Sequence, residues 1–448
     1  MNRLLIAIFL IVSILAWGDT HEAASTSYAD VATAVGLADD GDIVSIPAGE
    51  STWASTLTIT VGIELKGSGI ATTVITGNAV DLQLIRLFPG SNKPMRVHDI
   101  GFISGKPITI VADKTNSYCL NQIRIDHNSF VNGMDNIYNS GWCEGVIDNN
   151  YFENCNRAII VAGDIDYAWG RTIETGTENA LFIEDNTFVQ TNAGGGGLNE
   201  NIYHQDGART VVRHNLFDGS AYTDYDFCVF DVHGNQAVYW YHGTQLRSQP
   251  IVEVYNNTFT YHHSYRVMYI RGGSVVVHDN TFTYVTTSVE IQLSEEEAWQ
   301  SDWWGEDGLR SIWPAEDQIM NCFFWNNTRN GNPITDIYCA GASTTFIQED
   351  RDYFMHAPES SGGKEYYNGR QGASNSAPTD LDGDTMIFTA EGPNAYYPYD
   401  AYVYPHPLRG EGGAGPFSKN LAMILLQIFG AVFSLMFLPF GLDCFLNP

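Results

Sequence analysis

Five side chains in the centre of the chain have the chemical types that proton-transfer chemistry requires. They lie in four related runs, LFIEDNTF, TVVRHNLF, CVFDVHGN and VEVYNNTF, two or four residues before an Asn. A patch that combines carboxylates, a guanidinium and an imidazole can hold a substrate and move protons on and off it. A solvated polar face without chemistry has the same composition, and both interpretations stay open. The candidate catalytic residues are Glu184, Arg213, Asp231, His233 and Glu253.

Four further residues are candidates for binding a substrate. Trp169, His204 and Asp206 lie in two long insertions between the related runs, and Tyr255 lies in the run that also holds Glu253. Insertions over such a face would form the walls of a groove, in which aromatic rings can stack on sugar rings. No His or Cys spacing resembles a zinc site, and no nucleophile elbow, phosphate loop or dinucleotide motif occurs.

An internal repeat supplies the elements that would position these residues. If the Asn of Asn-x-Phe is position zero, position minus three is always β-branched, as strand interiors prefer. Minus five, minus three and plus two are predicted to point inward, and minus four and minus two outward. The shortest spacings are 20 to 23 residues, and each Asn is expected to bond to the Asn one rung away. Position zero is occupied by Asn78, Ile100, Asn128, Asn150, Asn186, Asn215, Asn235, Asn257 and Asn280.

One repeated strand in a rung of about 22 residues is typical of a parallel β-solenoid. With the opening segment YADVATAVGLADDGDIVSIPAGEST and then LTITVGIELKGSG, the chain resembles the right-handed parallel β-helix proteins of the pectate-lyase-like superfamily. The resemblance covers residues 25–345 and implies an all-β solenoid with an N-terminal helical cap. Residues 346–415 are predicted to form a C-terminal cap and a tail that packs on the solenoid.

Two carbohydrate chemistries recur in that superfamily, and the resemblance implies residues for each. Lyases similar to pectate lyase use an Arg or Lys base with Ca²⁺ held by Asp. Here Arg213 would be the base, and Glu184 and Asp231 would hold the cation or the substrate. Hydrolases similar to polygalacturonase use clustered carboxylates, and here Asp231 with Glu184 or Glu253 would be acid and base. Val-His-Gly-Asn at 232–235 matches their Gly-His-Gly segment only in part, and neither motif is complete.

The charge balance limits the partners. The chain has 22 Lys and Arg against 52 Asp and Glu, a net charge of −30, which argues against nucleic acid and anionic lipid as partners. An acidic polysaccharide would be repelled unless a divalent cation such as Ca²⁺ bridged the two. Asp380, Asp382 and Asp384 have the close spacing that suits Ca²⁺, but the rest of an EF-like loop is missing and a plain Asp-Gly turn is the favoured interpretation.

Both ends of the chain carry apolar runs. Residues 1–18, in which Arg3 precedes an apolar stretch and Ala16-Trp17-Gly18 follows it, are predicted to be a signal peptide of a secreted or cell-surface protein. Residues 420–438 hold an uncharged apolar run long enough to span a bilayer as a helix. We interpret this hydrophobic C-terminal helix as a membrane anchor or a sorting tail, with packing on a partner as the alternative.

Export permits disulfides among the seven cysteines. Cys143 with Cys155 and Cys322 with Cys339 are the candidate bridges. Buried thiols are an equally good interpretation of the same residues.

Two classes of function fit the sequence. The first is an enzyme on extracellular polysaccharide, a lyase before a hydrolase. The second is a non-catalytic surface protein: an adhesin, a glycan-binding protein or a filament subunit, since open solenoid ends can stack head to tail. Incomplete catalytic motifs and the apolar tail favour the second class. A groove with converging carboxylates and an arginine would favour the first, and a flat face the second.

Overall fold

The computed structural model describes the chain in segments. These are residues 18–112, 119–163, 175–191, 200–205, 207–222, 228–233, 249, 251–261, 266–284, 289–294, 319, 322–340, 347–350, 352–358 and 399–410. The predicted signal peptide up to residue 17 and the apolar segment 420–438 lie outside them. No helix in the described ranges is long and apolar enough to cross a bilayer.

Three sheets wind around one hydrophobic core. The chain passes from sheet A to sheet B to sheet C and back to sheet A. Each strand therefore pairs in parallel with the strands one turn before and one turn after it. One described pair is antiparallel, Thr328–Arg329 with Asn332–Pro333. The protein is a parallel β-helix, and the fold predicted from the repeat is confirmed.

The strands are short, as expected for rungs of this length. Sheet A consists of Thr20–Glu22, Ile43–Ser45, Glu64–Lys66, Met95–His98, Leu120–Asp126, Cys143–Asp148, Leu181–Glu184, Arg209–Arg213, Ile251–Tyr255, Val275–His278, Cys322–Trp325 and Tyr353–Phe354. Sheet B consists of Gly49–Trp53, Thr73–Gly77, Gly101–Ile103, Ser129–Val131, Tyr151–Glu153, Thr187–Val189, Leu216–Gly219, Thr258–Tyr261, Thr281–Tyr284, Thr328–Arg329 and Asn332–Pro333. Sheet C consists of Leu57–Ile59, Gln83–Leu87, Lys106–Val111, Ile137–Ser140, Ile159–Ala162, Ile202–Gln205, Cys228–Val232, Arg266–Ile270, Val289–Leu293 and Tyr338–Cys339.

The turn from sheet A to sheet B repeats one backbone conformation. The residue before position zero has a φ between 53° and 59°, in the left-handed region. Among residues other than Gly, Asn, Asp and His adopt this region most readily, and each of these turns uses one of the three. The residue type at this position therefore favours the turn in each of these rungs. The residues concerned are Asp99, His127, Asn149, Asp185, His214, Asn256, Asp279 and Asn326.

The asparagines at position zero form a hydrogen-bonded column along the solenoid. The backbone N–H of Asn150 donates to Oδ1 of Asn186 at 2.9 Å. Nδ2 of Asn186 donates to the carbonyls of Ile147 and Glu184, so both ends of this buried amide are used. The same pattern repeats at each step. The column consists of Asn128, Asn150, Asn186, Asn215, Asn257, Asn280 and Asn327.

A stack of phenylalanines lies beside this column. Each occupies position plus two on the inner face of sheet B, and neighbouring ring centroids are 4.6 to 5.3 Å apart. Stacked rings at this distance add to the apolar burial that holds successive rungs together. The stack consists of Phe102, Phe130, Phe152, Phe188, Phe217, Phe259 and Phe282.

Two predicted rungs of the repeat belong to other sheets. The strand before Asn78 lies in sheet B, and the strand before Asn235, Cys228–Val232, lies in sheet C. Both fit the frame because alternation around a β-branched residue describes an inward-facing strand of any sheet. In sheet A the rung of Asn215 is followed directly by that of Asn257. The prediction of a sheet A rung between them is wrong.

A short helix lies near the N-terminal end of the solenoid. The helix Tyr28–Val35 begins after Ser27, whose hydroxyl accepts a hydrogen bond from the N–H of Asp30, and it buries Val31 and Ala34 in the core. Its role as a cap stays a prediction.

Neither candidate disulfide is present in the structure. Cys143 lies in sheet A and Cys155 follows a strand of sheet B, while Cys322 lies in sheet A and Cys339 in sheet C. Burial raises the pKa of the Cys155 thiol to about 12. Cys143, Cys155 and Cys322 therefore belong to the core, and the partly buried Cys339 packs against it.

We expect Asn186→Ala to lower the free energy of unfolding by about 1–3 kcal/mol. The N–H of Asn150 and the carbonyl of Ile147 would lose their partners inside the solenoid. Denaturant unfolding measures the change. Asn121→Ala is the control, because Asn121 is exposed and bonds to the exposed Asn92, and it should cost less than about 0.5 kcal/mol. Equal losses in the two variants would contradict the role of the column.

Candidate functional site

The five candidate catalytic residues lie on two faces of the solenoid. Glu184, Arg213 and Glu253 belong to strands of sheet A, whereas Asp231 is in a strand of sheet C and His233 directly follows it. The prediction that the five share one patch is wrong. It depended on placing the run that contains Asp231 and His233 in sheet A, and that strand pairs within sheet C.

Residues 399–410, which we call the C-terminal strap, cover the outer face of sheet A from the rung of Arg124 to that of His278. The strap runs backwards along the stack. Tyr399 contacts His278 at one end, and the carbonyl of Arg409 accepts a hydrogen bond from Arg124 at the other. The predicted outward column of sheet A is outward in direction but buried beneath the strap. Sequence periodicity predicts whether a side chain points inward or outward. It does not predict whether a distant segment of the chain covers that side chain.

Arg213 and Glu184 hold the middle of the strap. Both side chains are fully buried, and Nε of Arg213 donates to Oε2 of Glu184 at 2.7 Å. The Nη groups of Arg213 donate to the carbonyl oxygens of Tyr402 at 2.6 Å and Val403 at 2.9 Å. Oε1 of Glu184 accepts from the backbone N–H of His406 at 2.9 Å. The predicted base and acid therefore bind the chain's own backbone.

Arg409 joins the strap to three carboxylates of sheet A and its turn. It donates to Glu184 at 2.8 Å, to Asp148 at 3.1 Å, and to Asp185. Burial opposes ionisation of Glu184, but Arg213, Arg409 and the hydrogen bonds outweigh it and hold its pKa below the usual range. The ion pairs of Glu184 are therefore formed at neutral pH, in a site where breaking one of them leaves a buried charge.

Apolar contacts surround this charged centre. Tyr402 and Leu408 of the strap pack on the outward side chains Val146, Phe182 and Val211 of sheet A. The rings of Phe182 and Tyr402 have centroids 5.2 Å apart. Without the strap, these three apolar side chains in adjacent rungs would be exposed to solvent. The strap therefore completes a second, smaller hydrophobic core on the outside of sheet A.

Glu253 and Tyr255 also lie under the strap. Glu253 accepts from the N–H of Gly176 and from the hydroxyl of Tyr399, both at 2.8 Å, and burial raises its pKa to about 7. The ring of Tyr255 stacks on His278 with centroids 4.7 Å apart. The structure thus places Tyr255, predicted to bind substrate, where the strap fills the space that a substrate would need.

A second group of charged side chains lies on the outer face of sheet C. Phe230 and Val232 belong to the core, so Asp231 between them points outward. Arg271 donates to both carboxylate oxygens of Asp231, with Nε to Oδ1 at 3.2 Å. Glu200 forms a hydrogen bond with Asp231. Burial, and next the negative charge of Asp231, raise the pKa of Glu200 well above its usual value. The cluster thus places an acid whose pKa is raised next to a carboxylate that a guanidinium binds.

Aromatic rings flank this acidic pair. The rings of Tyr203 and His233 have centroids 5.1 Å apart. The guanidinium of Arg266 lies 3.7 Å from the ring centroid of Tyr269, and that of Arg271 lies 4.8 Å from it. The outer face of sheet C therefore brings together two acids, two guanidinium groups, an imidazole and two phenols around Asp231.

Tyrosines continue along the solenoid axis on both sides of Asp231. Strand register aligns one outward position of sheet C through successive rungs, at a rung repeat of about 4.8 Å. Tyr203 and Tyr269 occupy the rungs next to Asp231, and Tyr138 and Tyr338 lie further out. The aligned column is Arg86, Thr109, Tyr138, Ile160, Tyr203, Asp231, Tyr269, Gln292 and Tyr338.

His204 is an interior residue and not part of a substrate-binding surface. It has the same direction as Ile202, which lies in the core, and its ring centroid is 4.9 Å from that of Phe230. Its side chain has no solvent exposure, and burial lowers its pKa to about 4. The loop predicted for His204 is wrong, because the repeat marks only the turn between sheets A and B, and Ile202–Gln205 is a strand of sheet C.

Two predicted binding residues and the predicted cation site remain as expectations. Trp169 and Asp206 lie outside the described residues, as do Asp380, Asp382 and Asp384. Within the described ranges, no group of three or more His, Cys, Asp and Glu side chains is arranged to hold a metal ion.

Sequence reasoning missed Glu200, Arg271, Tyr203 and Tyr269. The repeat was aligned on the turn between sheets A and B, and sheet C has no such marker residue. A second alignment was available. The inward-outward-inward triplets IYH at 202–204, FDV at 230–232 and MYI at 268–270 occupy one register in the structure. Their middle residues are Tyr203, Asp231 and Tyr269.

Comparison with known proteins adds fold relatives only. No protein-family model and no curated protein matches the chain. An alginate lyase from Paenibacillus sp. str. FPU-7 is similar at 13% identity and a TM-score of 0.29, covering 72% of this chain and 98% of that one. The A-module of the mannuronan C-5 epimerase AlgE6 of Azotobacter vinelandii is similar at 13% identity and a TM-score of 0.28, covering 67% and 82%. The catalytic domain of a GH87 α-1,3-glucanase is similar at 12% identity and a TM-score of 0.27, covering 76% and 68%. At these values the similarities carry no argument about activity.

We expect Arg409→Gln to loosen the strap, because the buried Glu184 and Asp148 lose one of their cations at a cost of about 3–5 kcal/mol. Chymotrypsin should then cleave beside Tyr402 about tenfold faster or more, as mass spectrometry can measure. Arg329→Gln removes a half-exposed arginine that pairs with Glu290 away from the strap, and cleavage should not accelerate. Unchanged cleavage in Arg409→Gln would show that these ion pairs do not hold the strap.

The strap should also weaken in acid through His406. Burial lowers the pKa of His406 to about 4, so the unfolded chain binds the proton first as pH falls. The stabilisation is complete above the unfolded pKa of about 6.5 and is lost as pH falls towards 4, by about 3 kcal/mol. His406→Asn keeps an acceptor for the N–H of Leu408 but does not titrate. The stability difference between wild type and variant should shrink by that amount between pH 7 and pH 4, and a constant difference would refute the assignment.

Proposed function

We propose that the protein acts outside the cell on a linear, uronate-containing polysaccharide, and that it cleaves the polymer by β-elimination at the outer face of sheet C. The observation that carries the proposal is the cluster of Glu200, Asp231, Arg271, His233 and Tyr203. Extracellular placement rests on the apolar N-terminal run, and the remaining steps rest on the geometry of this cluster.

Elimination next to a carboxylate needs three kinds of group. A cation must neutralise the substrate carboxylate, a base must take the proton from C5, and an acid must protonate the departing oxygen. Arg271 supplies the cation, His233 the base and the protonated Glu200 the acid. His233 takes the C5 proton, the electrons of that bond form the C4=C5 double bond, the C4–O bond breaks, and Glu200 gives its proton to the oxygen.

The position of the two acids favours elimination over hydrolysis. Two-carboxylate glycoside hydrolases hold their carboxyl groups about 5 to 9.5 Å apart, on either side of the scissile bond. The side chains of Glu200 and Asp231 share a hydrogen bond, whereas the two carboxyl groups of such hydrolases act from opposite sides of the bond that breaks. One proton shared between two acids suits a single proton donor whose pKa is raised.

The tyrosine column gives the direction of the bound polymer. Tyr138, Tyr203, Tyr269 and Tyr338 lie on both sides of Asp231 along the axis. A rung repeat of about 4.8 Å is close to the length of one sugar ring, so a polysaccharide parallel to the axis would meet one outward side chain per sugar. Such a polymer would pass over the acidic cluster with binding contacts on either side.

Charge explains the need for local arginines. The whole chain carries −30 and repels a polyanion, but Arg157, Arg266 and Arg271 lie close to the outer face of sheet C. Ca²⁺, where it binds, would neutralise further substrate carboxylates. The described residues supply no three-ligand group for it, and no step is assigned to it here.

A non-catalytic surface protein is the second candidate, and one observation favours it. Glu200, Asp231 and His233 are only 3%, 1% and 2% exposed, and Arg271 already neutralises Asp231. A closed ion pair beside tyrosines can bind a glycan without transforming it. In this case the protein would be an adhesin, a glycan-binding protein or a filament subunit, attached through the apolar C-terminal segment or stacked head to tail.

The test is incubation of the full secreted chain with mannuronate-, guluronate-, galacturonate- and glucuronate-containing polysaccharides, with and without Ca²⁺. We expect an unsaturated, ultraviolet-absorbing product, and a fall in kcat/KM of about 10²- to 10⁴-fold in Arg271→Gln and His233→Gln. Arg86→Gln, five rungs from Asp231 on the same face, is the matched control and should keep the wild-type rate.

Two results would overturn the assignment. If new reducing ends form without the ultraviolet-absorbing product, the protein cleaves the polymer by hydrolysis and not by elimination. Polymer that binds, with binding lost in Tyr203→Ala and no product of either kind, would establish the non-catalytic candidate in place of the enzyme.

A further inference from the structure

A polar group lies inside the solenoid directly behind the candidate site. His204 aligns with Val161 in the rung before it and with Val232 in the rung after it, both core residues. An aliphatic side chain at this position would continue the column, and a buried imidazole costs stability unless both of its nitrogens are satisfied. A polar exception in an apolar column points to a requirement other than packing.

The hydrogen bonds of His204 define one tautomer. Nδ1 lies 3.0 Å from the carbonyl oxygen of Asp231, which can only accept, so Nδ1 carries the proton. Nε2 is then an acceptor, and the hydroxyl of Thr210, 2.8 Å away, donates to it. His204 thereby connects the peptide group of Asp231 in sheet C to the inward face of Arg209–Arg213 in sheet A.

Gln249 adds a second link to the same place. Its side chain is fully buried, and Nε2 donates to the carbonyl of His204 at 3.0 Å and to the carbonyl of His233. One amide thus joins the ends of two neighbouring sheet C strands. The peptide groups of Asp231 and His233, whose side chains form the outer cluster, are both held from inside.

We propose that His204, Thr210 and Gln249 are positioning residues, which fix from the interior the backbone that carries Asp231 and His233. The proposal rests on the proposed function, because it assigns these residues a role in setting the geometry of that site. None of the three touches a substrate bound outside. In a parallel strand the direction of an outer side chain follows the backbone, so a shift of the peptide group of Asp231 moves its carboxylate against Arg271 and Glu200.

The alternative is that the network only stabilises the core, and Thr210→Val separates the two. Valine keeps the shape of threonine but cannot donate to Nε2 of His204, so the imidazole loses one of its two anchors. Thr73→Val is the matched control. Thr73 is also fully buried and donates to the carbonyls of Ile46 and Pro47, many rungs away. Thr210→Ser restores the hydroxyl and serves as the conservative rescue.

The expected result in the full-length chain is a loss in kcat of about 10- to 100-fold in Thr210→Val, with KM changed less than kcat. Thr73→Val should keep the wild-type kcat although its stability falls, and Thr210→Ser should recover most of the rate. If Thr210→Val and Thr73→Val lose stability alike and both keep the wild-type kcat, the network is structural only and the proposal is overturned.

A measurement without turnover keeps the proposal separate from the proposed activity. The chain has 12 histidines, and imidazole-labelled protein followed by NMR reports the surroundings of the His233 ring, which lies beside Tyr203. We expect the ring resonances of His233 to move in Thr210→Val and to keep their wild-type positions in Thr73→Val. A wild type without activity but with this change in Thr210→Val would refute the proposed function and support the positioning role. Unchanged His233 resonances in Thr210→Val would refute the positioning role whatever the activity.

Discussion

The turn between sheets A and B is the constraint on which the rest of the structure depends. A left-handed residue followed by an asparagine that bonds to the rungs on both sides, as Asn150 does to Asn128 and Asn186, fixes how each coil sits on the previous one. A rung cannot shift by one residue without exchanging its inward and outward side chains. Every column in the protein, apolar inside and polar outside, therefore inherits its register from this turn.

The same constraint decides where the chain can vary. The turn between sheets A and B has no room for an insertion, because the asparagine must follow the left-handed residue directly. In the sequence, long insertions adjoin strands of sheet C instead: residues 192–199 come before one of these strands in the chain, and residues 164–174 and 234–248 come after two others. Chemistry that depends on variable segments is thus directed to the ends of sheet C strands. This places the candidate site there by topology as well as by its side chains.

The fold was predictable from the sequence because the turn requires an asparagine, as at Asn128 and Asn150. These asparagines recur at a regular spacing that can be recognised in the sequence. The site was predictable only in part. Asp231 and His233 were found, but they were aligned with Arg213 because strands of sheets A and C share the same alternation. The burial of Arg213 could not be foreseen, since it depends on Tyr402 and Val403, which are 189 and 190 residues away in the chain. Glu200 has no periodic signal, because it precedes its strand.

The described part of the protein has two buried polar clusters, one around Glu184 on sheet A and one around Glu200 on sheet C. They differ in how completely their charged groups are paired. On sheet A, the carboxylate of Glu184 has Arg213, Arg409 and a backbone N–H as partners, and its pKa is low; such a network is a closed structural joint. On sheet C, Glu200 faces another acid, and its pKa is raised. A protein that needed only stability would not retain two acids in contact where an amide would serve. Unfavourable pairs of this kind persist where a proton has to be moved. Glu253 under the strap also has a raised pKa, but its carboxylate accepts hydrogen bonds from the N–H of Gly176 and the hydroxyl of Tyr399. The proposed proton transfer is therefore assigned to the acid pair on sheet C and not to the groups under the strap.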